Sequence, residues 1–284
     1  MKKILKTALI SALLLCRPMA FAAEPDSENY RKGVEALNNR QYKTAVDYFI
    51  LATEEFPRNG YIYSKISDVA YNVDKTFDAI DFSLNALDYF EADDSAAIAE
   101  TYLRLAMIST YNDDQYRDLL QQPIVYYDSA VAANPGDYRT WLKRGVYLDI
   151  YERQYDRACD DFRKAIELQP DEVEPYTRLA QSLYSNQNKI DEAIEVYKSS
   201  CSTLTDFPYH HTALAQLLIE KGQYDEAAEI MLKGIDMVNE TIPWYNVLSD
   251  FPPKQREYLT SEIKNRLARH PERTFYNDYL EALK

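Results

Sequence analysis

Asp137 to Pro170 reads DYRTWLKRGVYLDIYERQYDRACDDFRKAIELQP. Apolar residues recur at Trp141, Val146, Leu148 and Ile150, and again at Ala158, Phe162, Ala165 and Ile166. These are helical spacings rather than the alternation of a strand, so the stretch predicts two amphipathic helices joined by a tight turn. Small residues stand where the two helices must meet: Gly145 in the first, Ala158 and Ala165 in the second. A larger side chain there would part the helix axes. Pro170 closes the unit, because proline supplies no N–H to the helical ladder. One hairpin of this kind leaves its apolar face uncovered and needs neighbours on both sides.

Those neighbours are present along the chain. Ala45 and Ala52 recur as Ala79 and Ala86; Ala158 and Ala165 recur as Ala193 and Ser200, then as Ala227 and Gly234. Pro57, Pro135 and Pro170 keep the same beat. A period near 34 with two helices per unit resembles the tetratricopeptide repeat family. The best match is Trp141, Gly145, Ala158, Phe162, Ala165 and Pro170; a second is Gly33, Ala45, Phe49, Ala52 and Pro57. The resemblance implies an all-α fold, a right-handed α-solenoid of about six helix-turn-helix repeats with capping helices at the C-terminus.

The expected organisation is a signal peptide over 1–22, a repeat array over 23–241 and capping helices over 242–284. Repeats are expected at about 26–59, 60–93, 95–136, 137–171, 173–206 and 208–240. The third departs from the period, with five surplus residues between Tyr111 and Pro123; a longer hairpin loop and a functional insertion are both open readings. Glu240 to Pro253 reads as a break framed by Pro243, Pro252 and Pro253 around Trp244-Tyr245, followed by an amphipathic helix over 254–269.

The N-terminus carries Lys2, Lys3 and Lys6, an apolar core from Ala8 to Leu15, and the A-x-A site Ala20-Phe21-Ala22. Export is therefore expected, with a periplasmic mature chain. An outer-membrane lipoprotein or a secreted chain is the alternative, since Cys16 after Leu13-Leu14-Leu15 invites a lipid anchor. The apolar core falls short of the about 20 residues that span a bilayer, so no transmembrane segment is expected in the mature chain.

The chain has 32 basic and 46 acidic residues, a formal net charge of −14. Removing Lys2, Lys3, Lys6 and Arg17 with the signal would leave 28 − 46 = −18. Phosphate recognition rests on clustered Lys and Arg, so nucleic acid is excluded as the expected partner. Cys159 and Cys201 stand seven positions out of register in adjacent repeats, about 10 Å along the axis, too far for a disulfide.

No catalytic or metal motif is present, so no enzyme, cofactor or metal site is expected. His210 and His211 are adjacent, and on a helix their side chains diverge by about 100°. There is no H-E-x-x-H, phosphate loop or G-x-S-x-G.

Binding is the expected role. In the resembled family the first helix of each repeat lines an inner wall where segments of other proteins lie. That register selects Tyr30, Tyr61, Tyr71, Met107, Tyr111, Ile150, Gln181, Tyr184, Tyr209 and Gln216 as a partner-binding groove, aromatic and amide-rich with few charges. Tyrosine offers large contact area at low entropic cost together with a hydroxyl. The basic clamp that some members use on a partner's C-terminal carboxylate is absent from these positions. The expected function is a scaffold or adaptor in the bacterial cell envelope, binding other envelope proteins or peptides. A lipid-anchored recruiter of cell-wall or protein-processing enzymes and a carbohydrate- or peptidoglycan-binding module are the alternatives.

Overall fold

The structure, a computed structural model, describes residues 24–111, 116, 118–204, 207–238 and 245–284. The expected signal segment with Cys16, the turn at Asn112-Asp113-Asp114, and Pro243 and Trp244 lie outside these residues. The described residues are helical, with no strand among them. In chain order they form α1 (Glu28–Asn38), α2 (Tyr42–Glu55), α3 (Gly60–Asn72), α4 (Thr76–Tyr89), α5 (Ser95–Tyr111), α6 (Pro123–Ala133), α7 (Tyr138–Tyr147) and α8 (Tyr155–Leu168). There follow α9 (Val173–Gln181), α10 (Ile190–Thr203), α11 (Pro208–Glu220), α12 (Tyr224–Asp236), α13 (Tyr245–Ser249), α14 (Pro253–Arg269) and α15 (Tyr276–Ala282). The chain divides into two compact units, Met1–Arg144 and Gly145–Lys284, with the division falling inside α7.

Local chemistry sets the helix ends. Ser27 accepts from the Tyr30 N–H and Asn59 from the Ile62 N–H, each satisfying one orphan donor of a first turn. Pro123 and Pro208 open α6 and α11, where the missing N–H costs nothing. Pro57, Pro135 and Pro170 each stand two residues past the end of α2, α6 or α8. Within five hairpins a left-handed residue makes the turn: Arg40, Asp74, Arg153, Asn188 and Gly222, each five residues before a buried alanine. Only Gly222, at φ 73°, takes that conformation without steric penalty.

The first unit pairs α1/α2, α3/α4 and α5/α6 as hairpins, and the first two share an apolar cluster containing Phe49, Ala45, Ala52, Ile62 and Val69. The small residues are required there. A Cβ on Gly33 would lie 2.6 Å from the Phe49 ring. The second unit repeats this device, since a Cβ on Gly145 would lie 2.7 Å from the Phe162 ring. Its core runs through Leu148, Leu183, Leu214, Leu218 and Met231 to Leu259 and Ile263 on α14, with Tyr276 and Tyr279 on α15. Each such side chain, fully buried, contributes roughly 1.5–3 kcal/mol from removal of apolar area from water.

Two first helices of the second unit end in a π-helical turn, Leu148–Glu152 after α7 and Ser182–Asn186 after α9. Such turns insert an extra residue and re-aim the side chains that follow. Cys159 and Cys201 are free thiols, and burial pushes Cys201 up to about 11.

Candidate functional site

The residues selected for the groove belong to the first helix of each hairpin or to the π turn that ends it. In the first unit, α3 and α5 are joined by a polar ladder. Ser64 Oγ and Thr101 Oγ1 are 3.2 Å apart, and one turn on, Arg104 donates to Asp68. Arg104 is only 4% exposed, and Glu100 stands 3.9 Å from its guanidinium. Lys65 completes the group at 3.3 Å from Asp68 and 3.7 Å from Glu100. The same register sets Tyr71 level with the half-buried Met107, and Tyr111, 69% exposed, ends α5. Tyr61 is half-buried and donates from its hydroxyl to Asp94 Oδ1 at 2.7 Å. Burial, reinforced by that hydrogen bond, pushes its phenol up to about 12.

Two corrections follow. Tyr30 is not a groove residue: it is 2% exposed, packs on Phe49 with ring centroids 6.0 Å apart, and belongs to the core cluster. Its position on α1 points between the helices of its own hairpin, and burial raises its phenol well above the usual tyrosine range. Nor is the wall poor in charge, since Asp68, Glu100, Arg104 and Lys65 stand together on it. Arg104 was the residue missed. The only signal was a lone basic residue in an otherwise uncharged run, Thr101 to Tyr111.

In the second unit the corresponding line carries hydrogen bonds to the carboxylates of Asp149 and Glu220. Asp149, beside Ile150, accepts from Ser182 Oγ at 2.5 Å and from Asn186 Nδ2 at 3.1 Å, tying the two π turns together. Tyr184 lies between those two donors, and its hydroxyl donates to Glu220 Oε2 at 2.7 Å. That bond, the largest influence, raises its phenol above the usual value. Gln216 stands one turn before Glu220 on α11, and Gln181 precedes the π turn of α9; both are exposed. Ile150, Tyr184, Gln181 and Gln216 are thus brought to one side of this unit. Tyr209, also exposed, packs instead on Phe207 at 5.6 Å.

Beneath that side lies a buried clasp. His210 Nε2 is 2.8 Å from Thr177 Oγ1, and Nδ1 meets Ser200 Oγ. Rings of Phe207 and Tyr197 flank it at 4.7 and 5.2 Å. Burial, then the neighbouring His211, holds His210 down to about 4, so it is a neutral hydrogen-bonding group at neutral pH. Among the described residues no group of three His, Cys, Asp or Glu is placed to hold a metal ion. No helix among them is long and apolar enough to cross a membrane.

Tetratricopeptide repeats are detected within this array of hairpins, and such repeats imply a protein–protein interaction scaffold. Family models described as tetratricopeptide repeat match residues 138–172, 162–195 and 211–237. In structure, the chain is similar to the C-terminal part of a TPR repeat-containing protein from Cytophaga hutchinsonii, with a TM-score of 0.59 and 15% identity. That match covers 88% of this chain and 99% of the other, and it concerns the fold alone. In sequence, the chain is 28% identical over 124 residues to a peroxisomal targeting signal receptor of Candida albicans, covering 43% of this chain and 20% of that protein. It is 25% identical over 131 residues to sperm-associated antigen 1 of Rattus norvegicus, covering 46% of this chain and 14% of that protein. The chain therefore spans a fifth or less of these two relatives.

Proposed function

We propose that the chain is an exported envelope scaffold that holds a segment of another protein along the first helices of its hairpins. Tyr61, Tyr71, Met107 and Tyr111 are the contact residues of the first unit, and Ile150, Gln181, Tyr184, Tyr209 and Gln216 those of the second, each unit taken by itself. One observation carries the reading. Tyr71, Tyr111, Tyr184 and Tyr209 stay open to solvent on first helices, whereas Tyr63, Tyr126, Tyr147, Tyr176 and Tyr197 are buried in packing. Exposed tyrosine at the C-terminal ends of α3 and α5, in the π turn after α9 and at the start of α11 costs apolar hydration and is suited to stacking on, and hydrogen bonding with, an extended backbone. The amides of Gln181 and Gln216 add neutral donors and acceptors for the same purpose. The basic n-region, apolar core and A-x-A site support export.

A photocrosslinker placed at Tyr71 or at Tyr184 in living cells tests both parts. The expected result is one discrete protein adduct in the periplasmic fraction, lost when Tyr61 and Tyr184 are replaced by Ala with helicity unchanged. A chain found in the cytoplasm, or adducts that form equally from an outer-helix position such as Lys164, would overturn it.

A further inference from the structure

Outer helices of adjacent hairpins in the second unit are joined by ion pairs. Arg163 on α8 reaches Glu192 on α10 at 3.5 Å, and Lys198 on α10 reaches Glu226 on α12 at 3.0 Å. The cations stand five residues after Ala158 and Ala193, and the acids one residue before Ala193 and Ala227. A second line, two residues before the alanines, pairs Asp156 with Lys189 at 3.4 Å and Asp191 with Lys221 at 3.0 Å.

In the first unit three of those positions are apolar, while Lys43 stands two before Ala45 and Asp78 one before Ala79. Ile50 and Leu84 stand five residues after Ala45 and Ala79, where Arg163 and Lys198 stand in the second unit. Phe77 stands two before Ala79, where the other unit has aspartate. Ile50, Leu84 and Phe77 are 50%, 39% and 56% exposed. Asp78, in the place of Glu192, therefore meets no guanidinium. Phe77, Asp81, Leu84 and Asp88 follow one another at i, i+4, i+7 and i+11, a single stripe along α4. Asp78, Asp81 and Asp88 make no ion pair among the described residues. Burial and the nearby Asp78 raise the Asp81 carboxyl above the usual range.

We propose that this outer face of α2 and α4 is a docking surface for a cationic amphipathic helix of a partner protein. Its aliphatic row would cover Ile50, Phe77 and Leu84, and its Lys and Arg side chains would pair with Asp78, Asp81 and Asp88. Exposed apolar clusters mark contact surfaces, and helices dock through anchors at i, i+3 or i+4, and i+7. Charge selects the occupant. A second copy of a chain with net charge −14 would set acid against acid, and an anionic membrane would be repelled in the same way. The surface lies on second helices and is separate from the first-helix residues of the proposed groove.

Fluorescence anisotropy with two labelled peptides of about 18 residues tests the surface. Both carry Leu at i, i+4, i+7 and i+11; one is otherwise Lys-rich and the other Glu-rich. The Lys/Leu peptide should bind, more weakly as salt rises, and the Glu/Leu peptide should not. Ile50→Arg with Leu84→Lys, which copies the arrangement of Arg163 and Lys198, should weaken binding about tenfold or more. Ile50→Ser with Leu84→Ser, which leaves net charge unchanged, should also weaken it, and Tyr184→Ala should have no effect. Equal binding of the two peptides, or binding that survives the double serine change, would overturn the proposal. So would light scattering that shows a dimer abolished by those serines, because the occupant would then be a second copy.

Discussion

The two units join their hairpins in opposite ways. Between α3 and α5 of the first, the charge is inside, with Arg104 buried against Asp68, while Ile50, Phe77 and Leu84 lie outside in water. In the second, the inner links are hydrogen bonds, Asp149 holding Ser182 and Asn186 and the neutral His210 held by Thr177 and Ser200, and the outer seam carries the ion pairs of Arg163 and Lys198. The period and hairpin geometry are shared, so neither arrangement is demanded by stacking. What differs is the energetic weight of each charge. A buried ion is costly to strand, whereas exposed pairs contribute little and mainly keep a surface soluble. The first unit therefore carries its costlier ion pair inside and exposes Ile50, Phe77 and Leu84, the surface proposed above for a partner.

The largest effect should come from opening the inner link of the first unit. Asp68→Ala leaves the buried Arg104 guanidinium with only the longer contacts to Glu100 and Ser64 and should cost about 3–5 kcal/mol, read as a lowered urea midpoint, while Asp68→Leu with Arg104→Met should recover most of it. A cost below about 1 kcal/mol for the single change would break the comparison.

The second unit should answer to acid. His210 faces Thr177, Ser200, Tyr197, Phe207 and His211, and its folded value of about 4 lies below the ordinary 6.5. Between those values the unfolded chain binds a proton that the folded chain refuses. The contribution is complete above pH 6.5 and is lost as pH falls toward 4, on the order of 3 kcal/mol. His210→Gln should flatten this part of the stability profile; an unchanged slope would remove His210 as its source.

The smallest effect belongs to the outer seam. Arg163→Ile gives the second unit the residue type that the first has at Ile50, and thermal unfolding should change by less than about 1 kcal/mol. A loss above about 2 kcal/mol would mean that the exposed pairs hold the stack together.

Much of this was legible in one dimension. The alanine and glycine beat, the closing prolines and the 3.6-residue apolar period marked the helices and the contacts where they touch, because those constraints act within one hairpin. Tyr30 was not legible, since an aromatic residue on a first helix reads alike whether it turns to the groove or toward Phe49. Nor was the π turn that aims Ile150 and Tyr184.

Sequence alone determined that this chain makes paired helices with small residues at their crossings, for a large side chain there is excluded by volume. Only the tertiary structure decided which polar groups meet. Asp68 and Arg104 are 36 residues apart and Thr177 and His210 are 33 apart, so their pairing depends on the register of one hairpin against the next. That register is set by the whole packed interface and by no single residue in it.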